Sequence, residues 1–498
     1  MHLESWICIA LSLQVPQLVQ KSIAMNDDDD IAKASAYCVS HGILMGARDP
    51  VTRVPLGDNI FEHAPFSLYP TDFPKAALEK AYRMGEPFNN MVHSIASENN
   101  WLLNDAIPTA AIGDPQFTGR LVDLAKQVLN QGRRQKVVLG ILRSDYMLHQ
   151  TDIPLQVELN TIASSFGCLS SKVSNLHREL CDDDEGVLPD NHADQGIAKG
   201  LALALQEYKR QYPDSSNPVI VMVVQPGETN SCDQRDLEFL LKAKYHTTMV
   251  RRTLHELSQC SLSSRQELEL GEKLTAGVVY YRAGYTPDDY PSETEWAGRS
   301  NVEHSTAIKC PDVFYHIAGA KKVQQALAMP GILDQFTRSV EESTLLQSCF
   351  AKLYALGEGD DKNIVDMALK DPQDYVLKPQ REGGGNNLYN DELVHALQTM
   401  SHTERGGFIL MQKILPPPVG GSLIRRGKVV YEGECVCELG VFGVTLRDYD
   451  DKDRILMNDV VGHILRTKPV KTDEGGVAAG YAFLSSPKLV STDGASKK

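Results

Sequence analysis

Apolar residues recur at helical spacing over residues 17–45 and 73–95, which predicts two amphipathic helices early in the chain. The pattern is sharper over 119–132, where Leu121, Leu124, Ala125, Val128 and Leu129 share one helical face and Gly132 is placed to end the helix. A continuous apolar run at 137–142 then predicts a buried strand. It delivers Arg143-Ser-Asp-Tyr146 at its exit, where α/β proteins commonly place ligand groups. Helices near 195–211 and 233–246 alternate with strands at 219–225 and 277–282, the pattern of a small α/β unit over 217–318. A further helix is predicted over 321–336, interrupted at Pro330-Gly331. The C-terminal third changes period. Runs at 374–378, 407–414, 427–438, 441–446 and 455–458 alternate with Gly, Pro and Asp turns, as strands of an antiparallel sheet should. No repeat of about 20–50 residues is present, which argues against a solenoid. The expected class is α+β with mixed sheets in three parts.

Composition narrows this picture. The 498 residues are 42% hydrophobic and 23% charged, the balance of an ordered chain long enough for more than one packed unit. A net charge of −15 argues against a general nucleic-acid binder, since phosphate backbones are held by excess Lys and Arg. A locally basic cleft for a small phosphorylated ligand is still compatible with it. The ten cysteines are scattered with no CxxC pair, which points to thiols in a reducing compartment rather than a disulfide framework. No apolar run is long enough to span a bilayer. The apolar stretch 6–15 has no Lys or Arg ahead of it, so a signal peptide is not expected and a cytoplasmic location is. Residues 182–185 read as a solvated acidic loop, and the tail after 487 as a disordered end.

Three segments carry candidate chemistry. Alternation in Leu155-Gln-Val-Glu-Leu-Asn-Thr161 turns Glu158 and Asn160 to one side of a strand. Paired oxygen donors suit Mg²⁺, although a half-buried edge strand with a wet polar face has the same pattern. Next, an apolar strand ending in Lys378 leads into Pro-Gln-Arg381-Glu382-Gly-Gly-Gly385-Asn-Asn387-Leu-Tyr389. A backbone without Cβ atoms can approach a polyphosphate and aim N–H groups at its oxygens. Lys378 and Arg381 add charge there, and Glu382 offers a carboxylate to a metal. The spacing is neither GxxxxGK followed by Ser or Thr nor GxGxxG, so P-loop and Rossmann sites lose support. Third, His463-Ile-Leu-Arg466-Thr-Lys468 followed by Glu474-Gly-Gly-Val-Ala-Ala-Gly480 reads as a basic pair ahead of a flexible flap, with His463 structural. Polar turns at 225–230 and 281–285 follow strands, as substrate loops do. The chain has no HExxH, no His–Cys metal spacing and no GxSxG, so zinc chemistry and Ser–His–Asp hydrolysis have no support.

Taken together, Arg143 to Met147, Glu158 to Ile162, Ser165 to Gly167, Ala307 to Asp312, Lys321 to Gln325, Lys378 to Asn387, Glu438 to Gly440 and Arg466 to Gly480 closely resemble the eukaryotic-type glutathione synthetase family of ATP-grasp ligases. The segments follow that family's order across residues 17–485. The resemblance implies a reaction: γ-glutamylcysteine, glycine and ATP give glutathione, ADP and phosphate through an acyl phosphate. It also implies a fold, α+β / α/β of ATP-grasp type with mixed and antiparallel sheets, an inserted small α/β substrate-binding domain and a lid. Residues 1–216 would form the N-terminal part of the core, with the metal and substrate strand at 155–167. Residues 217–318 would form the substrate-binding domain. Residues 319–498 would complete the core, with a glycine-rich lid loop at 380–388 and an alanine-rich loop at 470–482.

Carried over residue by residue, the resemblance implies Glu158, Asn160 and Glu382 as Mg²⁺ ligands. Lys309 and Lys378 would hold ATP phosphates beneath Gly383, Gly384, Gly385, Asn386 and Asn387. Tyr389, Met411, Gln412, Lys413, Ile414 and Glu438 would surround adenine and ribose, with Lys468 and Glu474 closing over the nucleotide. Arg143 would stabilise charge at the reacting carbonyl, and Lys378 and Arg466 would share in the catalysis. Ile162, Ala163, Ser164, Ser165, Glu228, Thr229, Asn230, Gln234, Arg282, Ala283, Gly284 and Tyr285 would cradle γ-glutamylcysteine. Arg466, Val477 and Ala478 would hold the acceptor end. A homodimer is the implied assembly; neither nucleic acid nor membrane is an expected partner.

The chain departs from the family pattern at a few places. Ala163 stands where Ser is frequent, Gln412 where Glu is usual and Glu474 where Asp is usual, and the first sixteen residues match nothing in it. None of these removes a metal or phosphate group. Two alternatives stay open. A β-alanine acceptor needs a different pocket wall after Gly476, whereas Val477-Ala-Ala-Gly480 matches the glycine form. A non-catalytic ATP-binding module should lack a metal carboxylate or a phosphate lysine, and this chain lacks neither.

Overall fold

Alternation along a few long strands decides which polar residues reach the site. In the computed structural model, which describes residues 27–491 apart from 50, 51, 53, 58, 151, 182–185, 474 and 479, the strands form three larger sheets and two two-stranded ones. The largest sheet has seven strands in the order Val419–Arg425, Phe66–Ser67, Phe483–Ser485, Ile455–Pro469, Lys428–Asp448, Val137–His149 and Ile153–Asn160. Its longest member is Lys428–Asp448, a single strand of 21 residues where the sequence pattern predicts two. Gly440 reads as a turn signal, yet it is paired on both sides, with Ile464 and with Asp145, so the backbone runs straight through it.

Two other strands also outrun their predicted ends. Val137–His149 continues past 142, which leaves Arg143 and Asp145 in mid-strand instead of at an exit. Ile455–Pro469 continues past 458, so His463 to Lys468 is an inner strand and not the start of a flap. Buried His463 bonds Tyr82 through Nδ1 at 2.7 Å, in keeping with a structural role. In each case polar residues interrupt the apolar run, and the cross-strand ladder holds the chain extended regardless.

The two faces of this sheet have separate cores. Even-numbered positions of Val137–His149, such as Val138, Leu142 and Tyr146, pack with the helix Lys75–Ser97. Odd-numbered Val137, Leu139 and Ile141 pack with helices Gly167–Leu180 and Ala193–Gln211. Continuing that odd series, Arg143 and Asp145 emerge beyond the apolar patch on the same face. In register they meet Asn160 and Glu158 on one neighbouring strand, while Glu438 meets Arg466 on the other side. One end of a sheet face is thus apolar and the other end charged.

The second sheet joins Met249–Arg252, Pro218–Val223, Thr275–Tyr281 and Ile308–Cys310 in parallel, with short antiparallel strands Leu268–Glu269 and Ser261–Leu262 at its edge. The third is antiparallel, Leu353–Ala355, Phe408–Gln412 and Tyr375–Pro379, and the helices Lys362–Lys370 and Asn390–Thr399 pack on one side of it. Together these make an α+β fold with mixed and antiparallel sheets.

Helices Arg120–Gln131, Ala193–Gln211 and Ser231–Tyr245 form as expected, and Gly132 ends the first with φ at 81°. The predicted 17–45 helix is Asp27–Ser40, followed by the strand Leu44–Gly46; residues 17–26 lie outside the described residues. The predicted 321–336 helix is Lys321–Leu327 with a separate 3₁₀ turn Leu333–Gln335, because Pro330 cannot continue it. Residues Pro487–Val490, expected in a disordered tail, pair in parallel with Thr71–Pro74. The acidic loop 182–185 lies outside the described residues. Among the described residues no helix is long and apolar enough to cross a membrane.

Candidate active site

The predicted residues gather mainly around two adjoining cavities that share Val157, Lys378 and Asn387. The first encloses about 1030 Å³ and takes its floor from the charged end of the large sheet. Arg143, Glu158, Asn160, Glu438 and Arg466 line it, with the turn Ile162–Ser165, Glu228, Asn230, Arg282 and Tyr285 on the second sheet's side. Glu382, Gly383 and Gly384 lie above, and Val477 and Ala478 close one end. The second cavity, about 900 Å³, is a slot between the large and antiparallel sheets. Its walls include Met147, Val157, Val376, Met411, Ile414 and Val436, with Tyr389, Gln412, Lys413 and Lys468 at the polar edges. An apolar slot with a polar rim suits a flat heteroaromatic ring.

At the border between the cavities two carboxylates converge. Lys321 Nζ donates to Glu382 Oε1 at 2.7 Å and lies 3.1 Å from Glu158 Oε2. The two acids come from different places, one from a strand of the large sheet and one from the glycine loop. Burial raises the affinity of Glu158 for its proton, but the charges of Lys321, Lys378 and Arg466 outweigh it and hold the carboxyl below its ordinary range. Glu382 goes the other way, raised by burial and by the Glu158 charge. Its Oε2 is buried with no hydrogen-bond partner. Asn160 spends its amide nitrogen on Asp145 Oδ2 at 3.0 Å, which leaves its oxygen as the free end. Two carboxylate oxygens around one ammonium, one orphaned oxygen and one amide oxygen form a donor set that fits a hard divalent cation.

Lys378 is buried, donates to the Val157 carbonyl at 2.8 Å and faces both cavities. Burial lowers its pKa below the ordinary lysine value. The following loop is built by glycine: φ is 99°, 69° and 81° at Gly383, Gly384 and Gly385, a region other residues avoid. The Gly383 backbone lies so close to Tyr285 that a Cβ there would sit 3.3 Å from that ring. Asn386 is exposed and closes the turn, its side-chain nitrogen donating to the Glu382 and Gly384 carbonyls at 3.3 Å each.

The turn that follows Ile162–Ser165 is held from a distance. Asp233 accepts from the backbone N–H of Phe166, Cys168 and Leu169 at 2.9, 3.0 and 3.2 Å, capping the helix Gly167–Leu180. It also accepts from Arg282 Nη1 at 3.1 Å. Arg282 Nε, both side-chain atoms of Asn230 and Arg466 Nε are buried without partners. All three residues line the first cavity. Buried polar atoms left unpaired are rare and point to a polar ligand.

Several predicted residues lie elsewhere. Lys309 is fully buried in the second sheet, donates to the Ser305 carbonyl at 2.7 Å and lines neither cavity. Lys321 lines neither cavity itself, but its ammonium bonds Glu158 and Glu382, which line the first. Arg381 turns away into a two-pronged pair with Asp114 at 2.6 and 2.8 Å. Glu438 bonds Arg466 in the first cavity and does not line the second. Thr229 and Gln234 are buried behind the wall, bonded to Arg48 and Arg251. Ala283 borders a neighbouring hollow with Thr253, and Gly284 is held by Asp289 and the Tyr290 hydroxyl. Glu474 lies outside the described residues. Sequence reasoning gave no role to Lys321, Asp145 or Asp233. Asp145 had a visible signal, a charge inside an apolar strand run.

Residues 26–489 match the family model for eukaryotic glutathione synthase, ATP binding domain. The chain is 39% identical to glutathione synthetase of Dictyostelium discoideum over 446 residues, 86% of this chain and 91% of that protein. It is 37% identical to glutathione synthetase of Homo sapiens over 476 residues, 93% and 98% of the two chains. A solved glutathione synthetase like-effector from Globodera pallida superposes with a TM-score of 0.71 at 20% identity, covering 93% of this chain and 96% of that one, a likeness of fold.

Proposed function

The chain belongs to the eukaryotic glutathione synthase family, and from that premise we propose that it ligates γ-glutamylcysteine to glycine at the expense of ATP. The observation that carries the reading is the convergence of Glu158 and Glu382 on one cation position where an apolar slot meets a polar cavity. Glu158, Asn160 and Glu382 would hold Mg²⁺, which when bound would offset negative charge on the nucleotide phosphates. The slot takes adenine between Met411 and Val157, and Lys378 faces the phosphates. A carboxylate is a poor electrophile, so the γ-glutamylcysteine carboxyl is first phosphorylated, and the glycine amine then displaces phosphate.

The chain's own groups position and neutralise more than they react. Arg143 and Arg466 sit over the reacting carboxyl, where charge builds as the amine attacks. Asn230 and Arg282, with their unpaired polar atoms, hold the dipeptide. The glycine loop covers the intermediate and keeps water from it. Val477-Ala-Ala-Gly480 matches the glycine-using form, and on that ground the reading favours glycine over β-alanine. A homodimer is proposed on the family resemblance, and a cytoplasmic location on the scattered cysteines without CxxC pairs.

The test is phosphate release from Mg·ATP with γ-glutamylcysteine plus glycine, β-alanine, serine or no acceptor. Release that depends on glycine is expected. Equal release without an acceptor would refute the ligase reading, and preference for β-alanine would replace glycine with the longer amine.

A further inference from the structure

We propose that Asp145 is a positioning residue for this site, a single buried carboxylate that sets the aim of Arg143, Arg466 and Asn160 together. The inference rests on the ligase reading above. Asp145 has no exposed surface. Its Oδ1 accepts from Arg143 Nε at 2.7 Å. Its Oδ2 accepts from Arg143 Nη2 at 2.8 Å, Arg466 Nη2 at 2.8 Å and Asn160 Nδ2 at 3.0 Å. Three site groups from three different strands therefore answer to one carboxylate.

Each bond fixes something the reaction needs. The two-pronged contact holds the Arg143 guanidinium in one plane, with Nη1 on the Ser165 carbonyl at 3.2 Å. Arg466 is held between Asp145 and Glu438, which leaves its Nε as the buried group without a partner. Asn160 gives Asp145 its nitrogen, so its oxygen is the end left for a ligand. The carboxylate also lies between two guanidiniums that would otherwise repel across the cavity floor. The sheet is shaped around this arrangement. Gly440 is the cross-strand partner of Asp145, and a Cβ there would stand 2.5 Å from Asp145 Oδ1 and 2.8 Å from Arg143 Cδ. A side chain at that position would push both groups off their line.

Asp145→Asn keeps the size but presents an amide nitrogen to donors, so Arg143 loses its second contact and Asn160 is driven to turn over. The phosphate-release assay is run on the parent, Asp145→Asn, Arg143→Ala and the double variant, alongside thermal shift with Mg·ATP. We expect Asp145→Asn to lower kcat by about 100-fold, as small misplacements of reacting groups do, with KM for ATP within about threefold of the parent. Adding Arg143→Ala should cost no more than about threefold further, since that guanidinium is already off its line. A buried residue with a merely structural role would instead give independent, multiplying losses, and that result would overturn the proposal. So would an Asp145→Asn enzyme within about threefold of the parent. A parent that releases no phosphate sinks the ligase reading and this inference with it; an active parent with an unimpaired variant sinks this inference alone. Should Asp145→Asn not fold, a crystal structure of the parent with Mg·nucleotide decides. Asp145 still holding both guanidiniums supports the proposal, and both released from it refutes it.

Discussion

Without its ammonium, Lys321 would leave Glu158 and Glu382 facing each other across a buried gap. The lysine side chain is 3% exposed and the two acids 21% and 15%, so water screens the repulsion only in part. Lys321→Met should therefore destabilise the protein by about 3–5 kcal/mol, the usual consequence of removing one partner from a buried ion pair. Urea unfolding with an unchanged slope measures it. Glu382→Gln acts differently. Lys321 keeps Glu158, and the amide avoids the burial that already raises the Glu382 pKa, so the melting temperature should hold while turnover falls by about 100-fold or more. A variant with near-parental turnover would remove Glu382 from the proposed metal set. Neither lysine's place follows from its residue type. Lys309 and Lys321 both sit in segments resembling the family, yet one is tied to the Ser305 carbonyl and the other to two acids of the cleft wall.

Two glycine positions show two different constraints at the scale of an element. At Gly385 a Cβ would meet nothing, and the demand comes from φ of 81° alone. Gly385→Ala should strain that loop by about 1–2 kcal/mol and displace its backbone from the phosphates. The expected outcome is a several-fold rise in KM for ATP with an unchanged melting temperature, because the loop is exposed. Steady-state kinetics and a thermal melt check it together, and an unaltered KM would mean the loop does not cover nucleotide. At Gly440 the demand is space beside Asp145, which no local pattern announces. The same blindness shortened three strands in the sequence reading. An apolar run marks a strand only while the apolar pattern lasts; two of these strands turn polar where one face enters the cleft, and the third at Asn458, which bonds Asn90.

Across the molecule, buried histidines couple the fold to pH. His177 receives the Ser486 hydroxyl at Nδ1 (2.6 Å) and donates from Nε2 to the Ser67 carbonyl at 2.9 Å, so both ring nitrogens are committed in the neutral form. Burial holds its pKa at about 4 against an ordinary 6.5. The unfolded chain takes up a proton that the folded one refuses. The stability is therefore complete above pH 6.5 and is lost as pH falls toward 4. The slope is about 1.4 kcal/mol per pH unit across that window. The urea midpoint should drop on acidification from neutral pH, and His177→Gln should flatten the drop. An unchanged slope in that variant would assign the pH dependence to other groups.

The chain alone determined what local rules can encode. Period separated the mixed helix-and-strand first part from the strand-rich C-terminal third, Gly132 marked a helix end, and the paired oxygens of Glu158 and Asn160 followed from alternation. The triple glycine of 383–385 marked a loop of left-handed backbone after the strand that ends near Lys378, because backbone freedom is a property of residue type. What the tertiary structure decided depends on register between distant segments. Asp145 meets Gly440 and Glu158 only once three strands are aligned, Asp233 caps a helix it is not part of, and Lys321 rather than Lys309 stands between the two acids. Partners tens to hundreds of residues apart in the chain leave no mark on local periodicity. Their bond exists only after the sheet has paired and excluded water from them.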